Sequence, residues 1–157
     1  MNEQEEKYLH FVYCIDNLNS AWRILQKVKI EKGNPLINYA FQFALIEYSK
    51  PYKLSYGVVV KYHQLPETYI PSKYLDLHKR ILNARDKFHA HSDLSIMDAK
   101  VYIQNTKNGK FVSRSQNIVH GVEETPNIGN IIDLIEQTLD ALYVEVKRLE
   151  YDLDTNS

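Results

Sequence analysis

A chain of 157 residues, 44% hydrophobic and 25% charged, predicts one globular domain over residues 1–157, with a core large enough to fold without disulfides. The formal net charge of -1 excludes a general attraction to polyanions, so a nucleic acid would need a local basic patch. The single cysteine, Cys14, excludes an intrachain disulfide, and we expect it to pack in the core.

The first six residues, Met1 to Glu6, are acidic where a signal peptide would be basic. No apolar run approaches the roughly 18 residues that a membrane span needs. We therefore predict a cytoplasmic protein with no membrane partner. The five glycines are scattered and form no phosphate-binding loop, which argues against a nucleotide hydrolase, and we predict no cofactor.

Apolar residues at spacings of three and four predict a long first helix over residues 4–30. Gly33, Asn34 and Pro35 then end this helix and begin the next, because Asn can cap a helix and Pro fits its first position. The second helix, 35–49, is apolar nearly all round, which predicts a position at the centre of the fold or in a subunit interface. Its Glu47 is either a buried acid paired with Arg85 or a surface residue. The apolar face of the first helix consists of Tyr8, Phe11, Ile15, Leu18, Trp22 and Leu25.

Residues 53–71, which include two prolines, predict an irregular crossover with one short extended piece. A third helix is predicted over residues 72–91, with two neighbouring stripes that face the core. His78 lies on one stripe, and we expect it to be half-buried. The first stripe consists of Tyr74, Leu77, Ile81, Ala84, Phe88 and His91, and the second of Leu75, His78, Leu82, Arg85 and His89.

Asn108–Gly109 predicts a two-residue hairpin loop between strands that contain Val101–Gln104 and Phe111–Ser113. No acid lies between Ala99 and Val122. The basic residues of this hairpin either bind the phosphate backbone of a nucleic acid or protect an exposed strand edge from aggregation. They are Lys100, Lys107, Lys110 and Arg114.

Thr125–Pro126 opens a last helix with a continuous apolar seam from Ile128 to Leu153. Counted together, the predicted elements are four helices and one small hairpin inserted between the third and the fourth. The predicted fold class is therefore all-α, similar to a four-helix bundle.

The most informative stretch, residues 85–93, reads Arg-Asp-Lys-Phe-His-Ala-His-Ser-Asp at the predicted end of the third helix. A guanidinium group can hold phosphate oxygens in a planar fork, and an imidazole can move protons near neutral pH. Together these two groups suit cleavage of a phosphodiester without a metal ion.

Arg85 and His91, separated by five residues on the third helix of an all-helical chain, resemble the R-x(4–6)-H motif of the HEPN superfamily. Residues 77–93 also resemble HEPN-like proteins of abortive-infection and toxin systems. The resemblance implies a HEPN-type fold and a homodimeric, metal-independent endoribonuclease that acts on RNA. It further implies a role in a toxin–antitoxin or phage-defence system, with an antitoxin as partner.

By position in the motif, the resemblance makes His91 the proton-transfer residue and Arg85 the group that stabilises charge on the phosphate. Asp86 occupies the polar position after the arginine and would orient one of these groups. On an ideal helix, Arg85 and His91 lie roughly 120° apart around the axis and about 9 Å apart along it. Either two subunits therefore contribute, or the helix unwinds near Ala90. His89 shares the face of Arg85 and could take the role of His91.

Three other interpretations remain open for these residues. Arg85 and Asp86 could form a structural ion pair beside a core histidine. The domain could bind a nucleotide, RNA or protein without catalysis. His89, His91 and Asp93 could bind zinc or iron, but hydrolases with this spacing place it after a strand and add an adjacent histidine, where this chain has Leu94. We predict no metal site.

Overall fold

Four α-helices make up most of the chain that the structure describes. The structure is a computed structural model, and it describes residues 1–31, 33–86, 100–107, 109–115 and 122–155. The helices are α1 (Glu3–Ile30), α2 (Ile37–Ser49), α3 (Leu75–Ala84) and α4 (Ile128–Thr155). Two antiparallel strand pairs accompany them, β1 (Ser55–Tyr56) with β2 (Tyr62–His63) and β3 (Lys100–Thr106) with β4 (Gly109–Ser115). A mostly helical fold with a hairpin between the third and fourth helices is confirmed.

The N-terminal ends of α1 and α2 follow from asparagine side chains. The Asn2 Oδ1 atom accepts hydrogen bonds from the N–H groups of Gln4 and Glu5, and the Asn2 N–H donates to the Glu5 carboxylate, which forms a capping box. Asn34 Oδ1 accepts from the Leu36 N–H at 2.9 Å. This turn holds Pro35 and Leu36 outside the helix, so α2 begins two residues later than predicted.

Helix α1 lies between α2 and α4 and packs along both. The Tyr8 hydroxyl contacts Glu150 at 3.1 Å, and the Trp22 indole N–H donates to Glu136 at 2.7 Å. Because the start of α1 meets the end of α4, the two helices are antiparallel. The predicted apolar face of α1 is confirmed: Phe11, Ile15, Leu18 and Leu25 are buried, and Tyr8 and Trp22 pack partly buried against the same core.

Helix α2 has one buried and one exposed face, so it is not wholly central, and of the two predicted positions only the subunit interface remains open. Phe41, Leu45 and Tyr48 are buried, whereas Tyr39 is 69% exposed and Phe43 is also exposed. Glu47 is buried and pairs with Lys50 Nζ, one turn further along, which corrects the suggested pairing with Arg85. The apolar residues on the exposed face remain available to a partner.

Residues 53–71 contain more structure than the single extended piece predicted from sequence. Ser55 pairs with His63 and Tyr56 with Tyr62, and the turn between the two strands folds over Glu6 of α1. The Glu6 carboxylate accepts hydrogen bonds from three consecutive backbone N–H groups, those of Val58, Val59 (2.9 Å) and Val60 (2.7 Å). Glu6 is only 6% exposed and thus ties the crossover to the first helix.

Helix α3 is shorter at its start than predicted. A 3-10 turn, Ser72–Tyr74, precedes it after Pro71, and the α-helix begins at Leu75. Leu77, His78, Ile81 and Ala84 are buried, so the two predicted stripes do face the core in this part of the helix. The predicted continuation from 87 to 91 lies outside the described residues.

The β3–β4 hairpin differs from its prediction by one residue. The register pairs Thr106 with Gly109, so Gly109 belongs to the ladder of strand pairs and not to the loop. The φ angle of Gly109 is +126°, a conformation that side chains disfavour, which explains the need for glycine there. Asn108 lies outside the described residues.

Helix α4 follows directly from a 3-10 turn, Thr125–Asn127, that contains the predicted Thr-Pro start. Its seam is confirmed by the burial of Ile131, Ile135, Leu139, Leu142 and Leu149, which join one hydrophobic cluster with residues of α1, α2 and α3. Within the described parts of the chain, none of the helices combines the length and apolar character that crossing a bilayer requires.

Candidate phosphate-binding cluster at the end of α3

Arg85 stands where α3 ends. Its backbone keeps helical angles (φ −57°, ψ −48°), and its N–H donates to the carbonyls of Ile81 and Leu82. Residues 85 and 86 lie in a π-helical turn, a local widening that is frequent at functional sites. The Arg85 side chain is 32% exposed, so part of the guanidinium can reach a ligand from solvent.

Asp86 binds two cations at once. Its Oδ1 atom accepts from Arg85 NH1 at 3.0 Å, and its Oδ2 atom accepts from Lys53 Nζ at 2.5 Å. Partial burial raises the pKa of Asp86, but the hydrogen bonds from Lys53 and Arg85 outweigh it, so the pKa lies below its usual value. The carboxylate is therefore ionised at neutral pH and holds the two cations side by side. We call Lys53, Arg85 and Asp86 the α3 cluster.

Lys53 was missed by sequence reasoning, and a buried turn explains its position. A 3-10 turn, Lys50–Tyr52, follows α2, and its Pro51 and Tyr52 are buried. The Tyr52 ring packs edge-on against His78 of α3, with 4.5 Å between ring centroids. The next residue in the chain, Lys53, therefore emerges beside α3 and reaches Asp86. No local pattern around residue 53 indicates this long-range contact.

Beneath the cluster, His78 is completely buried, which corrects the expectation that it is half-buried. Its Nδ1 atom and the Tyr48 hydroxyl are hydrogen-bonded at 2.7 Å. Burial lowers the pKa of His78, and the nearby Glu67 carboxylate only partly opposes this effect. At neutral pH His78 is therefore a neutral core histidine that links α3 to α2, and it is not part of the α3 cluster.

His89 and His91, the two candidate proton-transfer residues, lie outside the described residues, as does Asp93 of the metal interpretation. Among the residues that the structure describes, no group of three or more His, Cys, Asp or Glu is placed to hold a metal ion. The structure thus brings together two of the four predicted catalytic residues, Arg85 and Asp86, and adds Lys53 to them.

All four predicted nucleic-acid contacts are exposed on the β3–β4 hairpin. Lys107 lies beyond the end of β3 and Lys110 near the start of β4, while Lys100 and Arg114 lie near the base of the ladder. The spread of these cations along a narrow two-stranded ribbon suits an extended polyanion better than a compact one.

A second polar cluster, unforeseen from the sequence, surrounds His63 of β2. The Nε2 atom of His63 is buried without a hydrogen-bond partner, 3.6 Å from the Glu6 carboxylate. The ring of His63 stacks on His10 of α1 at 4.9 Å between centroids, and both rings line cavities of about 430 and 300 Å³. Its members come from two distant segments, so no spacing in the sequence reveals it.

The groups around this second cluster have strongly shifted pKa values. Burial, and then the proximity of His63, lowers the pKa of His10 to about 4. The hydrogen bond from the Val60 N–H, opposed by burial and reinforced by the bonds from Val58 and Val59, lowers the pKa of Glu6 to about 2. Burial raises the pKa of the Cys14 thiol to about 12. Cys14 is thus a protonated core residue, as the sequence predicts, and is unsuited to redox chemistry at neutral pH.

Comparison with known proteins identifies no relative: no family model matches this chain, and neither the curated proteins nor the solved structures contain a match.

Proposed function

We propose that this protein is a metal-independent endoribonuclease that acts as a homodimer, of the kind found among the HEPN proteins that its Arg85–His91 motif resembles. The α3 cluster carries the proposal. Two cations that share one carboxylate leave a net charge of +1, and both are partly exposed, Arg85 at 32% and Lys53 at 34%. This combination suits the binding of a phosphodiester oxygen. The surrounding helical body with an inserted hairpin also supports the proposal.

In the proposed reaction, Arg85 and Lys53 bind the non-bridging oxygens of the scissile phosphate and stabilise the negative charge that develops there. His91 takes the proton of the ribose 2′-hydroxyl or donates a proton to the leaving 5′-oxygen. The 2′-oxygen bonds to phosphorus as the bond to the 5′-oxygen breaks, which leaves a 2′,3′-cyclic phosphate. Asp86 orients the two cations, and His89 is the alternative proton-transfer residue.

A homodimer is supported by two features of the chain. On an ideal helix, Arg85 and His91 point about 120° apart, so a two-fold axis beside the motif would let the arginine of one subunit meet the histidine of the other. The exposed face of α2, with Tyr39 and Phe43, and the adjacent Leu36 just before the helix offer apolar surface for such an interface. The resemblance also supports a toxin or phage-defence role in the cytoplasm, with an antitoxin as the second partner.

The proposal is tested by incubating the purified protein with single-stranded and structured RNA in EDTA and identifying the product ends. We expect cleavage that leaves cyclic phosphate ends. Arg85→Ala should reduce the rate by about 10²–10³-fold and His91→Ala by about 10²–10⁴-fold. Lys53→Ala should also slow cleavage, whereas Lys79→Ala, which removes an exposed cation of α3 outside the cluster, should not.

Absence of cleavage on all substrates would contradict the proposal. Equal activity of the wild type, Arg85→Ala and His91→Ala would contradict it as well. Arg85 and Lys53 are partly exposed and Lys79 is exposed, so their replacement should leave the fold intact. Circular dichroism spectra of all the variants should confirm that the loss of activity is not a loss of folding.

A binding module without catalysis is the second candidate, and one observation favours it. Asp86 already pairs with both Arg85 and Lys53 within a single chain, as a structural ion-pair cluster would. This candidate predicts that RNA or a nucleotide raises the melting temperature without turnover. Arg85→Ala would then abolish the thermal shift while no product appears in the wild-type reaction.

A further inference from the structure

The β3–β4 hairpin exposes apolar side chains on both of its faces. All described residues of β3 are exposed, and so are those of β4 apart from Ser113, which is partly buried. In the described residues, the two strands pack mainly against each other. A lone two-stranded hairpin is at best marginally stable in water, and exposed aromatic and aliphatic residues on it indicate a binding surface.

The strand register separates these side chains into two different faces. Residues that pair across an antiparallel ladder point to the same side, and successive pairs alternate. Tyr102 pairs with Ser113 and Gln104 with Phe111, so Tyr102 and Phe111 are diagonal neighbours on one face. We call this the aromatic face. Its full set of residues is Lys100, Tyr102, Gln104, Thr106, Gly109, Phe111, Ser113 and Ser115.

The opposite, aliphatic face has another character. Ile103 pairs with Val112, and Val101 pairs with Arg114 beside them. The third pair on this face, Asn105 with Lys110, is polar. The two faces therefore offer chemically distinct surfaces on the same short ribbon.

We infer that the aromatic face of the hairpin binds single-stranded RNA, with the Tyr102 and Phe111 rings stacking on neighbouring bases. The rings are 49% and 58% exposed, and their diagonal spacing suits two unpaired bases. Residues 100–115 contain four cations and no acid, in a chain whose net charge is -1. Lys100 lies on the aromatic face, Lys107 lies beyond the last strand pair, and Lys110 and Arg114 belong to the aliphatic face, so the narrow ribbon as a whole complements a phosphate backbone.

The chemistry of this face favours RNA over a protein partner. Its non-aromatic side chains are one amide, three hydroxyl groups and one ammonium group, which can bind base edges and phosphates, whereas protein interfaces are depleted of lysine and serine. A duplex would not fit, because its bases are already stacked and cannot reach the rings. The inference rests on the proposed function and specifies its substrate as unpaired RNA.

The test compares two double variants of the full chain in the His91→Ala background, in which cleavage should be slowed by about 10²–10⁴-fold. Tyr102→Thr with Phe111→Thr removes the aromatic rings, and Ile103→Thr with Val112→Thr is the matched control on the aliphatic face. Threonine keeps the strand propensity in both. Binding is measured by fluorescence anisotropy with a labelled 12-nucleotide RNA, single-stranded or annealed to its complement.

We expect the aromatic-face variant to bind the single strand about tenfold or more weakly than its parent, with little change for the aliphatic-face variant. Lys107→Gln with Lys110→Gln should reduce the salt dependence of binding. The inference is overturned if both double variants bind equally well, if the duplex binds as tightly as the single strand, or if no RNA binds. A loss confined to the aliphatic-face variant, with dissociation of the dimer, would assign the hairpin to a contact between copies.

Failure of this inference and failure of the proposed function give different results. If the wild type does not cleave RNA but the aromatic-face variant binds it more weakly, the nuclease proposal fails and the binding site remains. If the wild type cleaves RNA and the same variant leaves both binding and KM unchanged, the nuclease proposal stands and the hairpin site is wrong.

Discussion

Glu6 shows how a single buried carboxylate can position a whole segment. Its oxygens take up the N–H groups of Val58, Val59 and Val60, which would otherwise lack partners inside the fold. The backbone approaches so closely that residue 57 must be glycine. A Cβ atom there would lie 2.0 Å from the Val60 carbonyl oxygen and 2.8 Å from both Glu6 Oε1 and His63 Nε2.

Gly57→Ala is therefore expected to destabilise the protein by about 1–3 kcal/mol, because the added methyl group collides with backbone that cannot move aside. Gly129→Ala is the matched control: Gly129 lies in α4 with nothing within 4 Å of the added Cβ, so the change should stabilise by up to about 1 kcal/mol. Urea denaturation of both variants measures the difference. Equal stability of the two would show that the turn does not close over Glu6.

At the scale of elements, α3 owes its position to a few buried contacts. It packs mainly against α2 and the turn before it, and the hydrogen bond between Tyr48 and His78 is fully buried. A buried polar contact of this kind fixes the orientation of the two helices. Each polar group has given up its hydrogen bonds to water on burial, so it must keep its protein partner. This contact also sets where Arg85 and Asp86 emerge from the helix, two turns further along.

Tyr48→Phe is expected to destabilise the protein by about 1–3 kcal/mol, since it leaves His78 Nδ1 buried without its partner. Tyr39→Phe removes the same hydroxyl from an exposed position of α2 and should change the stability by less than about 0.5 kcal/mol. Thermal or chemical unfolding of the two variants makes the comparison. An equal loss in the free energy of unfolding of both variants would indicate a general effect of the tyrosine hydroxyls on α2.

At the scale of the whole molecule, the proposed active site is either shared between subunits or contained in one. Mixing inactive variants distinguishes these arrangements. If the arginine of one subunit works with the histidine of the other, a dimer of Arg85→Ala and His91→Ala subunits contains one intact site. Random exchange at equal concentrations should then restore about a quarter of the wild-type sites.

The measurement is RNA cleavage after the two variants are co-refolded or co-expressed, with each variant alone as control. Sedimentation of the mixture should show particles of twice the 18.4 kDa chain mass. A mixture that sediments as dimers and stays inactive would place both groups in the same subunit. A particle of 18.4 kDa would be a monomer and would exclude a site shared between subunits.

The sequence by itself determined the helices and the hairpin, because their signals are local. The 3.6-residue periodicity of α1 and α4 locates their buried faces, and the apolar residues of β3 and β4 on either side of Asn-Gly indicate a hairpin. The sequence did not settle the register of the hairpin. The register depends on the positive φ angle of Gly109, and a glycine can adopt this angle but need not. The motif at residues 85–93 likewise identified Arg85 and Asp86 as candidates.

Only the tertiary structure decided which distant groups meet. Lys53 joins Asp86 across 33 residues, and Glu6 joins Val58–Val60 across more than 50, through contacts that leave no periodic trace in the chain. The lowered pKa values of Glu6 and Asp86 depend on these contacts, and that of His10 depends on burial and on His63 from the crossover. Secondary structure follows from neighbours in sequence, whereas burial, ion pairing and cavity walls follow from neighbours in space, and packing alone brings those together.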